Sequence, residues 1–199
     1  MSRFDGATKA TRRHALVQAI YERLAKAGIR YATEPCNFQL ATQIVRSPGE
    51  LLEHPRKGTC LDLTLLFCGV CLGSGLLPVV VVTRGHAFAL VSVANELSEW
   101  HSYSRTEKGL FQNTTTKDQR AVRDLVDSNR YFAIECTGFA SIRRLEEAHP
   151  SEAPETVGLL NGLMPFARAM EAGAQQLTLD SRPLQFAVDV ATAHHAWPI

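Results

Sequence analysis

Residues 56–91 read RKGTCLDLTLLFCGVCLGSGLLPVVVVTRGHAFALV. From Cys60 to Leu72 almost every side chain is apolar, which predicts a helix lying in the core. Gly73-Ser74-Gly75 ends it. Leu77–Thr83, with Pro78 near its start, is a β-branched run of the kind found in strands buried on both faces. Arg84-Gly85 makes a tight turn, and His86–Ala94 is the returning strand of a hairpin. A helix rises about 1.5 Å per residue and a strand about 3.3 Å, so a strand half as long as the helix spans the same distance. The first strand therefore runs back to the level of Cys60, and His86 at the following turn can face it.

Two side chains in this stretch carry chemistry. A free cysteine is most often a small core hydrophobe, and Cys68 and Cys71, inside the apolar run, fit that role. Cys60 differs by position: it opens the helix, where unpaired backbone N–H groups and the dipole stabilise a thiolate and could hold an oxyanion. Thr59 is the expected N-cap, and Gly58 permits close approach of the chain. Asp62, an anion in the first turn, favours the helix and opposes ionisation of the thiol. A thiol nucleophile needs a base held still, and His86 is placed to serve; a structural histidine at a strand start is the alternative. Glu135 is the sole carboxylate in the strand-like "YFAIEC" of Tyr131–Cys136. It either faces solvent on an edge strand or accepts the second ring N–H of His86, fixing its tautomer.

Around this centre, Leu16, Ile20 and Leu24, with Ala15 and Tyr21, mark a helix over Thr11–Lys26 that Gly28 ends. Tyr31–Glu50 is mixed and turn-rich. Residues 96–130 are polar and are expected as a surface insert, holding a short helix over Lys117–Val126 with Thr116 as N-cap and Gln119 closing a capping box. Trp100, His101 and Tyr103 in that insert either line a cleft or pack on the domain. Helical patterns follow over Ser141–Ala148 and Thr156–Ala172, the second interrupted by Pro165, and the end reads as a strand followed by a short turn or helix. This order predicts an α+β fold, a central helix packed on an antiparallel sheet with flanking helices, in a single domain spanning residues 1–199.

The chain has 199 residues, 45% of them hydrophobic and 21% charged, with a formal charge of +1. That suits one well-cored domain and gives no polyelectrolyte signal for nucleic acid or an anionic membrane. The N-terminus lacks the apolar core of an export signal, and no apolar run is long and unbroken enough to span a bilayer. The odd count of five cysteines, without an export signal, points to free thiols in a reducing cytoplasm. Cys68-Gly69-Val70-Cys71 has the spacing of half a zinc site but no second pair, and His194-His195 lacks a partner carboxylate, so no metal or other cofactor is expected.

Gly58-Thr59-Cys60-Leu61-Asp62-Leu63, Gly75-Leu76-Leu77-Pro78 and Gly85-His86-Ala87-Phe88, followed by a strand bearing a carboxylate, resemble the transglutaminase-like cysteine peptidase superfamily, in its prokaryotic branch. Weaker likeness extends over residues 29–52, 166–177 and 186–199, leaving 96–130 the least covered. The resemblance implies a papain-like fold with Cys60 as nucleophile, His86 as base and Glu135 as orienting acid, where many relatives carry aspartate. It also implies Gln43 as a second oxyanion donor, as in some papain-like enzymes; an exposed polar residue before a turn is the alternative. The implied activity is acyl transfer through a Cys thioester on a peptide, isopeptide or glutamine amide, with water as the favoured acceptor. Members of this branch occur as modules of larger bacterial proteins, some linked to defence or conflict systems. Further domains or a regulatory protein partner are therefore expected, and the alternative is a non-catalytic or partner-activated binding module.

Overall fold

The computed structural model describes residues 3–32, 44–99, 110–111, 114–141 and 163–196. Helix α1 (Arg3–Ala25) starts earlier than its apolar pattern because its first turns carry no stripe to read. It buries Val17, Ile20, Tyr21 and Leu24, whereas Leu16 and Ala15 are exposed. The buried set follows the i, i+3, i+4, i+7 spacing of one helix face, while repeated steps of four drift by about 40° each around a helix. Gly28 (φ 70°) turns the chain into β1 (Arg30–Tyr31). The segment expected to be mixed contains a short helix, α2 (Pro48–Leu52), started by a Ser47/Glu50 capping box and buried through Leu51. Strand β2 (Lys57–Gly58) then pairs in parallel with β1, bringing Tyr31 level with Gly58.

Helix α3 (Cys60–Gly73) lies on the sheet with Leu63, Leu66, Phe67, Cys68 and Cys71 buried, and Ser74 caps its C-terminus. Strands β3 (Pro78–Thr83) and β4 (His86–Ser92) form the expected hairpin, Thr83 opposite His86. The turn between them works because Gly85 takes a positive φ of 76°. After β5 (Thr115–Thr116), α4 (Gln119–Asp127), β6 (Tyr131–Ile134), α5 (Phe166–Gln176), β7 (Leu184–Asp189) and α6 (Val190–Ala196), the sheet is complete. It has five strands in the order β5-β7-β3-β4-β6, every neighbouring pair antiparallel. The C-terminal strand thus lies beside β3, so the two ends of the chain share one fold.

The valine run is central and covered on both faces. Val80 joins Ala89, Val91 and Ile134 on the α3 side, while Val79 and Val81 join Phe88 and Leu90 on the other. Full burial of each such side chain is worth about 1.5–3 kcal/mol, which explains the absence of an alternating polar face. The far face is covered partly by residues expected to form a surface insert. Phe111, Val122 and Leu125 are buried there, and β5 hydrogen-bonds to the sheet edge. Helix α4 starts at Gln119, not Lys117. Its cap is Asp118, whose Oδ1 accepts from Ala121 N at 3.0 Å, while Thr116 belongs to β5 and Gln119 instead bonds Leu184 N at 3.1 Å.

Helix α5 begins only after Pro165. The helix expected over Ser141–Ala148 falls outside the described residues apart from Ser141, which bridges to Arg30. Among the described residues no helix is long and apolar enough to cross a membrane.

Gly173 sets how closely α5 approaches β6. A Cβ there would stand 2.7 Å from both Ala133 C and Ile134 N, backbone atoms that cannot rotate away. Gly173→Ala is therefore expected to destabilise the protein by about 1–3 kcal/mol, as overpacking does, despite the better helix propensity of alanine. The midpoint of urea unfolding measures this; an unchanged or raised midpoint would show that α5 can back away freely.

Candidate active site

The site starts from the entry to α3. Thr59 has extended backbone angles (φ −77°, ψ 173°), and its Oγ1 accepts from Asp62 N while Asp62 Oδ2 accepts from Thr59 N. This box occupies the N–H groups of Thr59 and Asp62 and leaves those of Cys60 and Leu61 outside it. Gly58 is required sterically: a Cβ there would lie 2.7 Å from Leu51 Cδ2 and 3.3 Å from Asp62 Cβ. Asp62 is fully buried and accepts four hydrogen bonds, from the N and Nη1 of Arg46 and the N and Oγ1 of Thr59. Burial alone would raise its pKa, but those bonds together hold the carboxyl below its usual range. Its charge is therefore spent on Arg46 and the cap, which weakens the expected opposition to a thiolate at Cys60.

Cys60 is partly exposed, whereas Cys68, Cys71 and Cys136 are buried, and all four are free thiols. Burial pushes the three interior thiols well above the ordinary range. Cys36 lies outside the described residues.

His86, 3% exposed, opens β4. Its Nε2 is 2.7 Å from Oε2 of Glu135, which is fully buried. Cys60 lies near enough to the ring to be among the groups that raise its pKa. With Nε2 committed to Glu135, Nδ1 is the nitrogen left for the thiol. Burial pulls the His86 pKa down, but the Glu135 charge, the neighbouring Cys60 and the hydrogen bond to Glu135 raise it to about 9. The imidazole is thus held as a cation at neutral pH, beside the sulfur.

Glu135 is not inside a strand as expected. Strand β6 ends at Ile134, and Glu135 N turns away to Ala169 O of α5 at 2.9 Å. Its Oε1 accepts from Thr137 N (3.1 Å) and Thr137 Oγ1 (2.7 Å), capping the short 3-10 turn Cys136–Phe139. Oε2 faces His86 and also Gln176 Nε2 at 3.5 Å. Both oxygens are therefore held, and the carboxylate cannot swing away from the ring.

Three neighbours carried no motif in the sequence. The β1–β2 pairing brings Tyr31 near enough to Cys60 for the Cys60 charge to act on its phenol; its strand is fixed by Tyr31 N to Ser141 O (2.9 Å) and Ala32 N to Gly58 O (2.9 Å). Burial first, then the Cys60 and Glu135 charges, raise the Tyr31 phenol pKa, so it remains a neutral donor. Gln176, 1% exposed, links Glu135 to Arg182, whose Nη1 donates to Gln176 Oε1 at 3.3 Å. A glutamine within an amphipathic helix and an arginine in a turn give no chemical signal until the fold places them.

Gln43, Trp100, His101 and Tyr103 lie outside the described residues. His194 and His195 are exposed on α6, and no group of three or more metal-ligating side chains occurs among the described residues. No family model matches the chain, and comparison with curated proteins and with solved structures finds no significant match.

The His86 cation depends on Glu135. In Glu135→Gln the charge is gone and burial dominates, so the His86 pKa is expected to fall from about 9 to below 6.5, read by NMR titration of the ring. A raised folded-state pKa adds stability that is complete below the unfolded value near 6.5 and is lost as pH rises through about 9. The wild type should therefore lose stability across that window, and Glu135→Gln should not. A ring that still titrates near 9 in the variant would assign the shift to another group.

Proposed function

We propose that this chain is a thiol-dependent acyl-transfer enzyme of the transglutaminase-like, papain-like kind, hydrolysing a peptide, isopeptide or glutamine amide. The observation that carries this function is the buried His86–Glu135 pair near Cys60, which stands at the start of a helix lying on an antiparallel sheet.

His86 takes the proton of Cys60, or the two rest as an ion pair, and the sulfur is the nucleophile. The sulfur attacks the amide carbonyl carbon, and its oxygen becomes an oxyanion within reach of the first-turn N–H groups of α3. In a papain-like site Gln43 would supply a second donor. The C–N bond breaks as His86 gives its proton to the departing amine, leaving a Cys60 thioester and neutral imidazole. Neutral His86 then takes a proton from water, the hydroxide oxygen bonds the thioester carbon, and the C–S bond breaks to return the pair and release the acid. An amine in place of water would give transglutamination. Glu135 holds the ring orientation and its positive charge throughout without itself moving a proton.

This chemistry needs no metal or cofactor, and its reduced thiol suits the cytoplasm. The substrate is a protein or peptide, and a single domain of this kind could work within a longer protein. A second function is binding without turnover until a partner engages, motivated by the part-buried Tyr31 phenol near enough to Cys60 for the Cys60 charge to act on it. A resting site of that sort would be the partner-activated module expected of a bacterial defence or conflict system.

Iodoacetamide at neutral pH is expected to alkylate Cys60 before any other cysteine, mapped by mass spectrometry of the digested protein. Cys60→Ala should keep the circular dichroism of the wild type and lose all hydrolysis of a peptide and glutamine-amide library. Full activity in that variant, or faster labelling of Cys36 or Cys136, would remove Cys60 from the chemistry. Turnover that appears only when a partner protein is added would favour the gated module.

A further inference from the structure

Arg182 stands at the edge of the site on a turn closed by Arg182 N to Leu179 O at 3.0 Å, just before β7. Pro183 O accepts from Arg84 N at 3.1 Å, so this turn is tied to the hairpin turn that precedes His86. Among the described residues its guanidinium is anchored at one nitrogen, Nη1 to Gln176 Oε1 at 3.3 Å. Gln176 in turn reaches Glu135 at 3.5 Å, and Glu135 reaches His86 at 2.7 Å. Arg182 is half-buried, and no carboxylate pairs with it among the described residues. Two buried acids of the site are committed elsewhere: Glu135 to His86 and Thr137, Asp62 to Arg46 and Thr59. A guanidinium presents five donors in a planar fork, so most of this one is left to offer.

The charge is felt at the nucleophile's side of the site. Among the described groups acting on the Tyr31 phenol, Arg182 favours the anion, against burial, Cys60 and Glu135. A cation in a partly desolvated rim raises the local concentration of anions and orients a bound carboxylate by paired hydrogen bonds.

We infer that Arg182 selects the substrate of this site, and that the amide it accepts carries a carboxylate beside the scissile bond. This inference rests on the thiol-enzyme function proposed above. The class fits an amide followed by or attached to an acidic residue or a free C-terminal carboxylate. Arg182 is thus a specificity residue, distinct from the Cys60–His86–Glu135 machinery.

The two can be tested separately with small alkylating agents on the intact protein. Iodoacetate bears a carboxylate on the carbon that sulfur attacks, and iodoacetamide is its neutral counterpart. The rate constants for modification of Cys60 by each are measured at pH 7 and low salt, and their ratio is compared between variants. Arg182→Gln is expected to lower the iodoacetate-to-iodoacetamide ratio by about three- to ten-fold, while Arg182→Lys keeps most of it. Arg123→Gln, which removes an equal charge from the exposed face of α4, where Arg123 pairs with Asp127, should leave the ratio unchanged. Salt at about 0.5 M should bring the wild-type ratio down toward that of Arg182→Gln. An NMR titration of His86 that is unmoved in Arg182→Gln shows that the lost preference is not a displaced base. A ratio equal to wild type in Arg182→Gln, or an equal fall in Arg123→Gln, overturns the selection by Arg182. Slow reaction of Cys60 with iodoacetamide in the wild type overturns the thiol-enzyme function instead, whatever the ratio does.

Discussion

The contact between His86 and Glu135 is the constraint that organises the rest of the site. Both side chains are essentially removed from water, and ionised groups so placed are costly unless every lone pair and proton is matched. The surrounding chain supplies those matches. Strand β6 stops one residue short so that Glu135 can turn inward, Thr137 binds one carboxylate oxygen through both its N–H and its hydroxyl, and α5 takes the Glu135 N–H on Ala169 O. The close approach of α5 at Gly173 follows from the same requirement, since a helix pushed outward would carry Ala169 and Gln176 away from Glu135. A buried pair of this kind is poor evidence for stability gained. Its value is to hold a protonated ring in one orientation beside a sulfur.

How much of this was legible in the sequence follows from what kind of signal each part leaves. The α3 helix and the β3–β4 hairpin are readable because burial on both sides makes a continuous apolar run, and Gly85 marks the turn by its freedom to take a positive φ. Cys60 stands out because it follows Gly-Thr at the helix start. Glu135 is legible as a carboxylate among apolar residues, but it lies past the end of β6 and not inside a strand. A side-chain cap on a 3-10 turn looks like strand sequence until Thr137 is known to fold back on it. The stripe of α1 was misassigned by one position at Leu16, since 3.6-residue periodicity separates neighbouring stripes by less than the width of a buried face.

Residues 110–130 show the opposite failure. Their polarity reads as a surface insert, but Phe111, Val122 and Leu125 are spaced too far apart to form a recognisable run and still cover the sheet's outer face. Tyr31, Gln176 and Arg182 were missed for a different reason. None belongs to a short motif, and each reaches the site only through a tertiary arrangement: a two-residue parallel pairing for Tyr31, the C-terminal turn of α5 for Gln176, and the turn before β7 for Arg182. The strand β7 that fixes that turn comes from the far end of the chain and lies beside β3, a pairing that local sequence does not encode.

One helix makes plain how position outweighs residue type. Cys60, Cys68 and Cys71 all belong to α3. The two inside it are fully enclosed by apolar neighbours, and burial drives their thiols away from ionisation, so they act as small hydrophobes. Cys60, two turns earlier, stands at the first turn of the same helix, partly exposed and near His86 and Tyr31, and Asp62 beside it is paired with Arg46. The capping box therefore has two consequences at once. It starts the helix that builds the core, and by occupying the Asp62 charge with Thr59 and Arg46 it leaves the helix entrance open to a negative charge on Cys60.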